Sequence, residues 1–261
     1  MNYIITNPRN AVSAVRLGLP VVTEVPRDYD NIVNWGRSDA TAPKMLNPGT
    51  QIANTVDKYH YLTVIAQHGV SCPPTYGPGN ILPRGQYVMR PFTHEEGSDF
   101  DLVTSAGTAV VPSEFHATKF ITPTREYRVW FANAKFLTAR RIPRPSEDET
   151  NESCRSKWGY QAVDNFDGAI TQVKKALAVM PLDFGAFDLL WATEERKWYI
   201  LEVNSAPSLD TDRVRNFMVP NIKAMLRPEP AQIVIPAANA APIQRQRFKV
   251  MTMDGWREVE I

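Results

Sequence analysis

The segment from Asp188 to Asn204 constrains the chain more than any other. It reads Asp-Leu-Leu-Trp-Ala-Thr-Glu-Glu-Arg-Lys-Trp-Tyr-Ile-Leu-Glu-Val-Asn. Two apolar runs flank the charged group Glu194-Glu195-Arg196-Lys197, which suits a turn, so the segment predicts a β-hairpin. Glu202 and Asn204 lie two apart and therefore point to one face of their strand. Asp188 can join them from the neighbouring strand. Three oxygen ligands on one face are what a hard cation such as magnesium requires. The rival reading is a solvated sheet face with ordinary surface acids. Against it stand Leu189, Leu190, Trp191, Tyr199, Ile200, Leu201 and Val203, a near-continuous apolar run expected of a sheet covered on both sides. A charge in such surroundings is costly unless paired or bound to metal.

Acidic and basic residues nearly balance, 28 against 29. General nucleic-acid or membrane-surface binding is built from excess Lys and Arg, so neither is expected. Cys72 and Cys154 are too few for a disulfide framework and lack metal-type spacing. They read as free thiols in a reducing compartment. No basic region precedes an apolar stretch at the N-terminus, and no run approaches the length of a membrane span. The expected location is cytoplasmic. His60, His68, His94 and His116 show no metal-ligand spacing, and no Ser–His–Asp or Cys–His motif is present.

Along the chain, Tyr3–Ile5, a short helix from Ala11 to Leu17, Val21–Val22 and the stretch from Tyr29 to Trp35 predict a small β-α-β unit within residues 1–50. Apolar spacing predicts a helix from Ile52 to His68, capped by Gly69. Tyr87–Met89 and Ala109–Val111 read as strands. Glu126–Ala132 and Lys135–Ile142 form a hairpin around Asn133-Ala134. Residues 144–157 read as a polar loop. Phe166–Val179 is an amphipathic helix, and Val214–Leu226 a final one. Residues 227–245 are rich in Pro and Ala and read as a linker. Residues 246–261 predict a β-hairpin with an Asp-Gly turn, too short to fold alone. It is expected to dock on the main domain or exchange between subunits of a homo-oligomer.

The order of these pieces resembles the ATP-grasp superfamily, over roughly Trp35 to Leu209. Asp57-Lys58 followed by Gln67-His68-Gly69-Val70-Ser71-Cys72-Pro73-Pro74 is similar to one family element. Tyr87-Val88-Met89-Arg90-Pro91 is similar to a phosphate-binding strand, with Arg where Lys is usual. Ala117-Thr118-Lys119-Phe120-Ile121 resembles the hinge. Arg125-Glu126-Tyr127-Arg128-Val129 resembles a second strand, with Thr138-Ala139-Arg140-Arg141 as its partner. Asp188 with Glu202-Val203-Asn204-Ser205-Ala206-Pro207 resembles the metal hairpin. Asn34-Trp35-Gly36-Arg37-Ser38 and the hinge are most similar to small ATP-grasp proteins of phages and some bacteria.

The resemblance implies an α+β ATP-grasp fold, with two α+β subdomains, 51–120 and 121–226, clasping ATP behind a reduced N-terminal unit. It implies a magnesium-dependent ligase that joins a carboxylate to an amine through an acylphosphate, with ATP as phosphoryl donor. The substrates are a small-molecule or peptide carboxylate and an amine. It assigns Lys58 and Arg90 to the phosphates, backbone groups of Lys119 and Ile121 to adenine, and Glu126 to the nucleotide. Arg128, Arg141 and Arg155 become the catalytic cations, and Asp188, Glu202 and Asn204 the magnesium ligands. A cross-strand salt bridge is the competing role for Glu126. Of the adjacent Arg140 and Arg141 only one can face the groove, and Arg141 is preferred. The loop from Thr93 to Asp99 stands where relatives carry a glycine-rich lid. Here Gly97 is accompanied by Glu95, Glu96 and Asp99, which would repel a triphosphate. That loop motivates a second reading, a non-catalytic nucleotide- or partner-binding protein on the same fold. A small-molecule kinase is a third.

Overall fold

The computed structural model describes residues 1–92, 100–122, 125–143, 158–163, 166–226, 247–252 and 255–260. The described chain divides into two units, Met1–Leu226 and Arg227–Ile261. The second holds an antiparallel pair, Arg247–Thr252 with Gly255–Glu260. No helix among the described residues is long and apolar enough to cross a membrane.

The first unit carries three sheets. Strands β1 (Asn2–Thr6), β2 (Val21–Val22), β3 (Asn31–Trp35) and β4 (Met45–Leu46) form a parallel sheet in the order β2-β1-β3-β4. Helix α1 (Ala11–Ala14), flanked by 3-10 turns, connects the first two strands. The loop after β3 is knotted by Asn34, which is fully buried. Its amide donates to the carbonyls of Arg37 and Ala40, and its oxygen accepts the Arg37 N–H.

Two helices replace the one that apolar spacing predicts over 52–68. They are α2 (Gly49–Val56) and α3 (Lys58–Gln67). Asp57 between them is extended, with φ −75° and ψ 101°, and its carboxylate accepts the His60 N–H as an N-cap. A side chain that satisfies an orphan N–H of the next helix competes with continuation of the previous one.

A second, antiparallel sheet follows, from β5 (Thr75–Tyr76), β6 (Gly85–Pro91), β7 (Asp101–Ser105) and β8 (Phe115–Lys119), in the order β5-β8-β6-β7. It has a small core of its own around Leu82, Tyr87, Met89, Val111 and Ala117. The predicted strand at Ala109–Val111 is reduced to one isolated bridge, Val110 with Ile81.

The third sheet positions the site. Its strands are β9 (Arg125–Ala132), β10 (Lys135–Pro143), β11 (Trp158–Ala162), β12 (Phe184–Ala192) and β13 (Lys197–Asn204), in the order β11-β10-β9-β12-β13. Asn133 and Ala134, both at positive φ, make the tight β9–β10 turn. One face carries Val129, Phe131, Phe187, Leu189 and Ile200, which pack with α3 and α4 (Asp167–Val179). The opposite face is apolar at one end. There Trp130, Ala132, Ala139, Phe184 and Ala186 pack with Ile4, Val33 and Trp35 of the parallel sheet and with Val214, Met218 and Ile222 of α5 (Asp212–Met225). At its other end that face becomes charged.

Candidate active site

The register of the third sheet sets three charged residues in one row. Asp188 on β12 lies opposite Arg128 on β9 and, on its other side, opposite Glu202 on β13. A β-bulge makes the second pairing possible. Leu189 pairs with Ile200 while Asp188 pairs with Glu202, so Leu201 is the extra residue. Without it, Ile200 and Glu202 would point to one face, because strand side chains alternate. The bulge resets the phase. Ile200 stays in the core with the helices, while Glu202 and Asn204 turn to the charged face.

The Arg128 guanidinium forks onto Asp188. Nε donates to Oδ1 at 2.5 Å and Nη2 donates to Oδ2 at 2.6 Å. Arg141 on β10 reaches diagonally, with Nη2 to Asp188 Oδ2 at 3.3 Å and Nη1 to Glu126 Oε2 at 3.0 Å. Asp188 is 3% exposed and Arg141 9%. Such burial would lower the pKa of both guanidiniums, but the charge of Asp188 outweighs it and raises them above the ordinary arginine value. Both cations are therefore fixed.

Lys58 opens α3, and its ammonium donates to Glu202 Oε2 at 3.1 Å. Asn204 Oδ1 accepts the Ala206 N–H at 2.8 Å, which holds the turn leaving β13. Lys58, Glu202 and Asn204 line a cavity of about 290 Å³ together with Asn10, Gly36 and Ser205. Asn10 and Gly36 follow the carboxyl ends of β1 and β3, where a parallel sheet commonly receives ligands. Gly36, at φ +87°, lets the chain pass close to Asn10 and Ala206. A Cβ there would come within 2.8 Å of the Asn10 Nδ2 and of the Ala206 Cβ.

Seven of the sequence-derived candidates thus occupy one region: Lys58, Glu126, Arg128, Arg141, Asp188, Glu202 and Asn204. Glu202 and Asn204 face the cavity, whereas Asp188, on the neighbouring strand, does not line it and is clasped by Arg128. Glu126 is in a salt bridge with Arg141. Arg90 and Lys119 lie on the second sheet. The Arg90 guanidinium sits over the Phe100 ring, 5.5 Å from its centre, and Arg90 is cross-strand from His116. The Lys119 backbone N–H is engaged by the Pro74 carbonyl at 2.8 Å. Ile121 is buried against Leu190, Ala192 and Tyr199. Arg155 and the loop 93–99 fall outside the described residues. Two contributors have no counterpart among the candidates. Tyr160 lies against both site arginines, and Asn10 lines the cavity. The signal for Tyr160 was the strand β11, which the polar stretch before it obscures.

The donor set fits magnesium in chemistry. Two carboxylates and an amide oxygen are hard ligands. Each carboxylate oxygen that meets a cation keeps lone-pair capacity for another partner. Among the described residues no group of three His, Cys, Asp or Glu side chains could hold a metal.

No protein-family sequence model and no curated protein sequence matches the chain. Solved structures do. The chain aligns with the ATP-grasp ligase PsnB, complexed with a minimal precursor, at a TM-score of 0.62 and 11% identity, over 86% of this chain and 99% of that one. It aligns with D-alanine–D-alanine ligase from Bacillus anthracis at a TM-score of 0.63 and 12% identity, over 86% and 95% of the two chains. Against the macrocyclase MdnC, bound with precursor peptide MdnA from Microcystis aeruginosa MRC, the TM-score is 0.58 at 13% identity, over 87% and 99%. The fold of this chain is the ATP-grasp fold.

Proposed function

We propose that the protein is an ATP-dependent ligase that joins a carboxylate to an amine through an acylphosphate and requires magnesium. The observation that carries this reading is the single sheet face on which Arg128, Asp188 and Glu202 stand in register and Arg141 reaches in diagonally from β10, with Lys58 and Asn204 beside a cavity. Residues 51–120 and 121–226 serve as its two subdomains.

Phosphoryl transfer needs little covalent chemistry from the protein. It needs charge held in place where charge develops. Glu202 and Asn204, backed by Asp188, would hold magnesium, which supplies charge to the phosphate oxygens when bound. Lys58 supplies an ammonium at the cavity wall. Arg90 is the candidate phosphate cation of the second sheet, and Arg128 and Arg141 offer planar forks suited to a phosphoryl or carboxylate group. Lys119 and Ile121 are candidates for the adenine edge. Arg155 is retained as a third catalytic cation. PsnB and MdnC were solved with precursor peptides, which supports a carboxylate carried on a peptide as well as on a small molecule.

A second reading, nucleotide binding without turnover, draws on the clasp of both Asp188 oxygens by Arg128. Incubation of the full chain with ATP, magnesium and panels of amino acids or peptides tests both. The ligase reading expects ADP and phosphate in step with a new amide. Binding without ADP release supports the second reading. A stable phosphorylated product with no amine requirement identifies a kinase. Absence of nucleotide binding at millimolar ATP and magnesium would sink the proposal.

A further inference from the structure

Outside the acids and cations, Tyr160 lies against both site arginines. Tyr160 on β11 lies opposite Arg141 in the β10–β11 pairing. Its ring centre is 5.7 Å from the Arg128 Cζ and 6.0 Å from the Arg141 Cζ. The ring is itself held by an edge contact with Trp130, at 5.2 Å between ring centres and an interplanar angle of 72°. Trp130 is 2% exposed and belongs to the core shared with the parallel sheet. The platform beneath the guanidiniums is therefore anchored on backbone pairing and on the core, not on the charged groups it serves.

That independence matters because Asp188 has two claims on it. In the structure it clasps Arg128 through both oxygens. In the proposed reaction the same carboxylate backs the metal set. A dication weakens the hold of a carboxylate on a neighbouring guanidinium, and Arg128 would then be free to leave the sheet face. An aromatic ring is not subject to this competition. Its face attracts a guanidinium, most strongly where water is excluded. The ring also bears no formal charge for a dication to draw away.

We propose that Tyr160 is a positioning residue, which keeps Arg128 and Arg141 aimed along the sheet face when Asp188 is engaged elsewhere. The proposal rests on the ligase reading, and its first test is independent of nucleotide. In the 15N-labelled full chain, hydrogen exchange at the Arg128 and Arg141 Nε–H reports whether each guanidinium is held. Asp188→Asn weakens the clasp and mimics a distracted carboxylate. Exchange at Arg128 should remain slow in D188N and in D188N/Y160F, which keeps the aromatic face. It should accelerate about tenfold in D188N/Y160L. Equal exchange in D188N and D188N/Y160L overturns the proposal. Should the double variants fail to fold, Y160L alone must speed exchange at Arg141 and Y160F must not. Equal Arg141 exchange in Y160L and the parent chain is then the refuting result.

A second arm titrates magnesium with a non-hydrolysable ATP analogue. The expected result is about tenfold weaker binding in Y160L and near-parental binding in Y160F. Unchanged affinity in Y160L, with a lowered melting temperature, reduces Tyr160 to a packing residue and overturns the positioning role. If the parent chain binds no analogue, the ligase reading falls, while the exchange measurement still decides what Tyr160 holds.

Discussion

Replacing Asp188 by alanine should be among the most destabilising changes at any polar position of this chain. The carboxylate is 3% exposed and receives two short charge-assisted bonds from Arg128 and a longer one from Arg141. Its removal leaves two guanidiniums on one sheet face, with Glu126, bonded to Arg141, and Glu202, near Arg128, as counter-charges among the described residues. Breaking a buried ion pair by removing one partner costs about 3–5 kcal/mol, because the other charge is left uncompensated. For a unit of this size, that corresponds to a fall in melting temperature of roughly 10 °C. Asp188→Asn keeps the shape and one acceptor, and should cost about half as much. The double variant R128M/D188L removes both charges and should recover most of the loss, since replacing a whole buried pair by apolar groups is often close to neutral. The assay is equilibrium urea unfolding in chelator, so that neither metal nor nucleotide stabilises the folded state. Two optical probes should give coincident transitions before free energies are compared. A loss below about 1 kcal/mol in D188A would show that the carboxylate is not what neutralises these guanidiniums.

Two further outcomes are expected. Gly36→Ala places a Cβ 2.8 Å from both Asn10 Nδ2 and Ala206 Cβ at φ +87°, so it should destabilise by about 1–3 kcal/mol in urea unfolding and weaken any ligand of the cavity. Burial pushes the Cys72 thiol up to about 12 from an ordinary 9.0, so peptide-mapped alkylation of the native chain at pH 8 should spare Cys72 and modify it only on unfolding. The sign for stability follows: the unfolded chain releases this proton first, so the Cys72 contribution is complete below about pH 9 and is lost as pH rises toward 12.

Much of the site was legible because its parts are local in sequence. The Glu202-x-Asn204 spacing, the charged turn after Ala192 and the Asn133-Ala134 turn each report on their own few residues. The break at Asp57 was legible only as a motif, since apolar spacing runs through it and the N-cap bond to His60 that enforces it is invisible to periodicity. The Leu201 bulge was not legible. Alternation puts Ile200 and Glu202 on one face, and only the demand that one be core and the other charged forces the extra residue. The clasp of Asp188 by Arg128 was hidden for a different reason. It depends on β9 and β12 being neighbours, a pairing between segments 60 residues apart. Local pattern finds the residues of a site. Sheet order decides which of them neutralise one another.

That order also ranks the charges by how readily they are released. On the sheet face three cations meet three acids, as Lys58–Glu202, Arg128–Asp188 and Arg141–Glu126. The Arg128 fork is planar, short and buried, so parting it from Asp188 forfeits two aligned bonds at once. Lys58 holds Glu202 at 3.1 Å through an ammonium on a flexible stem, beside the cavity, with the Glu202 side chain 26% exposed. The Lys58 side chain is 13% exposed, the same as that of Arg128, so the two pairs differ mainly in geometry: one point-charge contact against a planar fork of two aligned bonds. In the proposed reaction a hard cation entering the cavity would meet Glu202 and Asn204 first and displace Lys58 before it disturbs Arg128. That order would release the ammonium at the cavity wall first, and Tyr160 would keep the two guanidiniums aimed once the dication draws on Asp188.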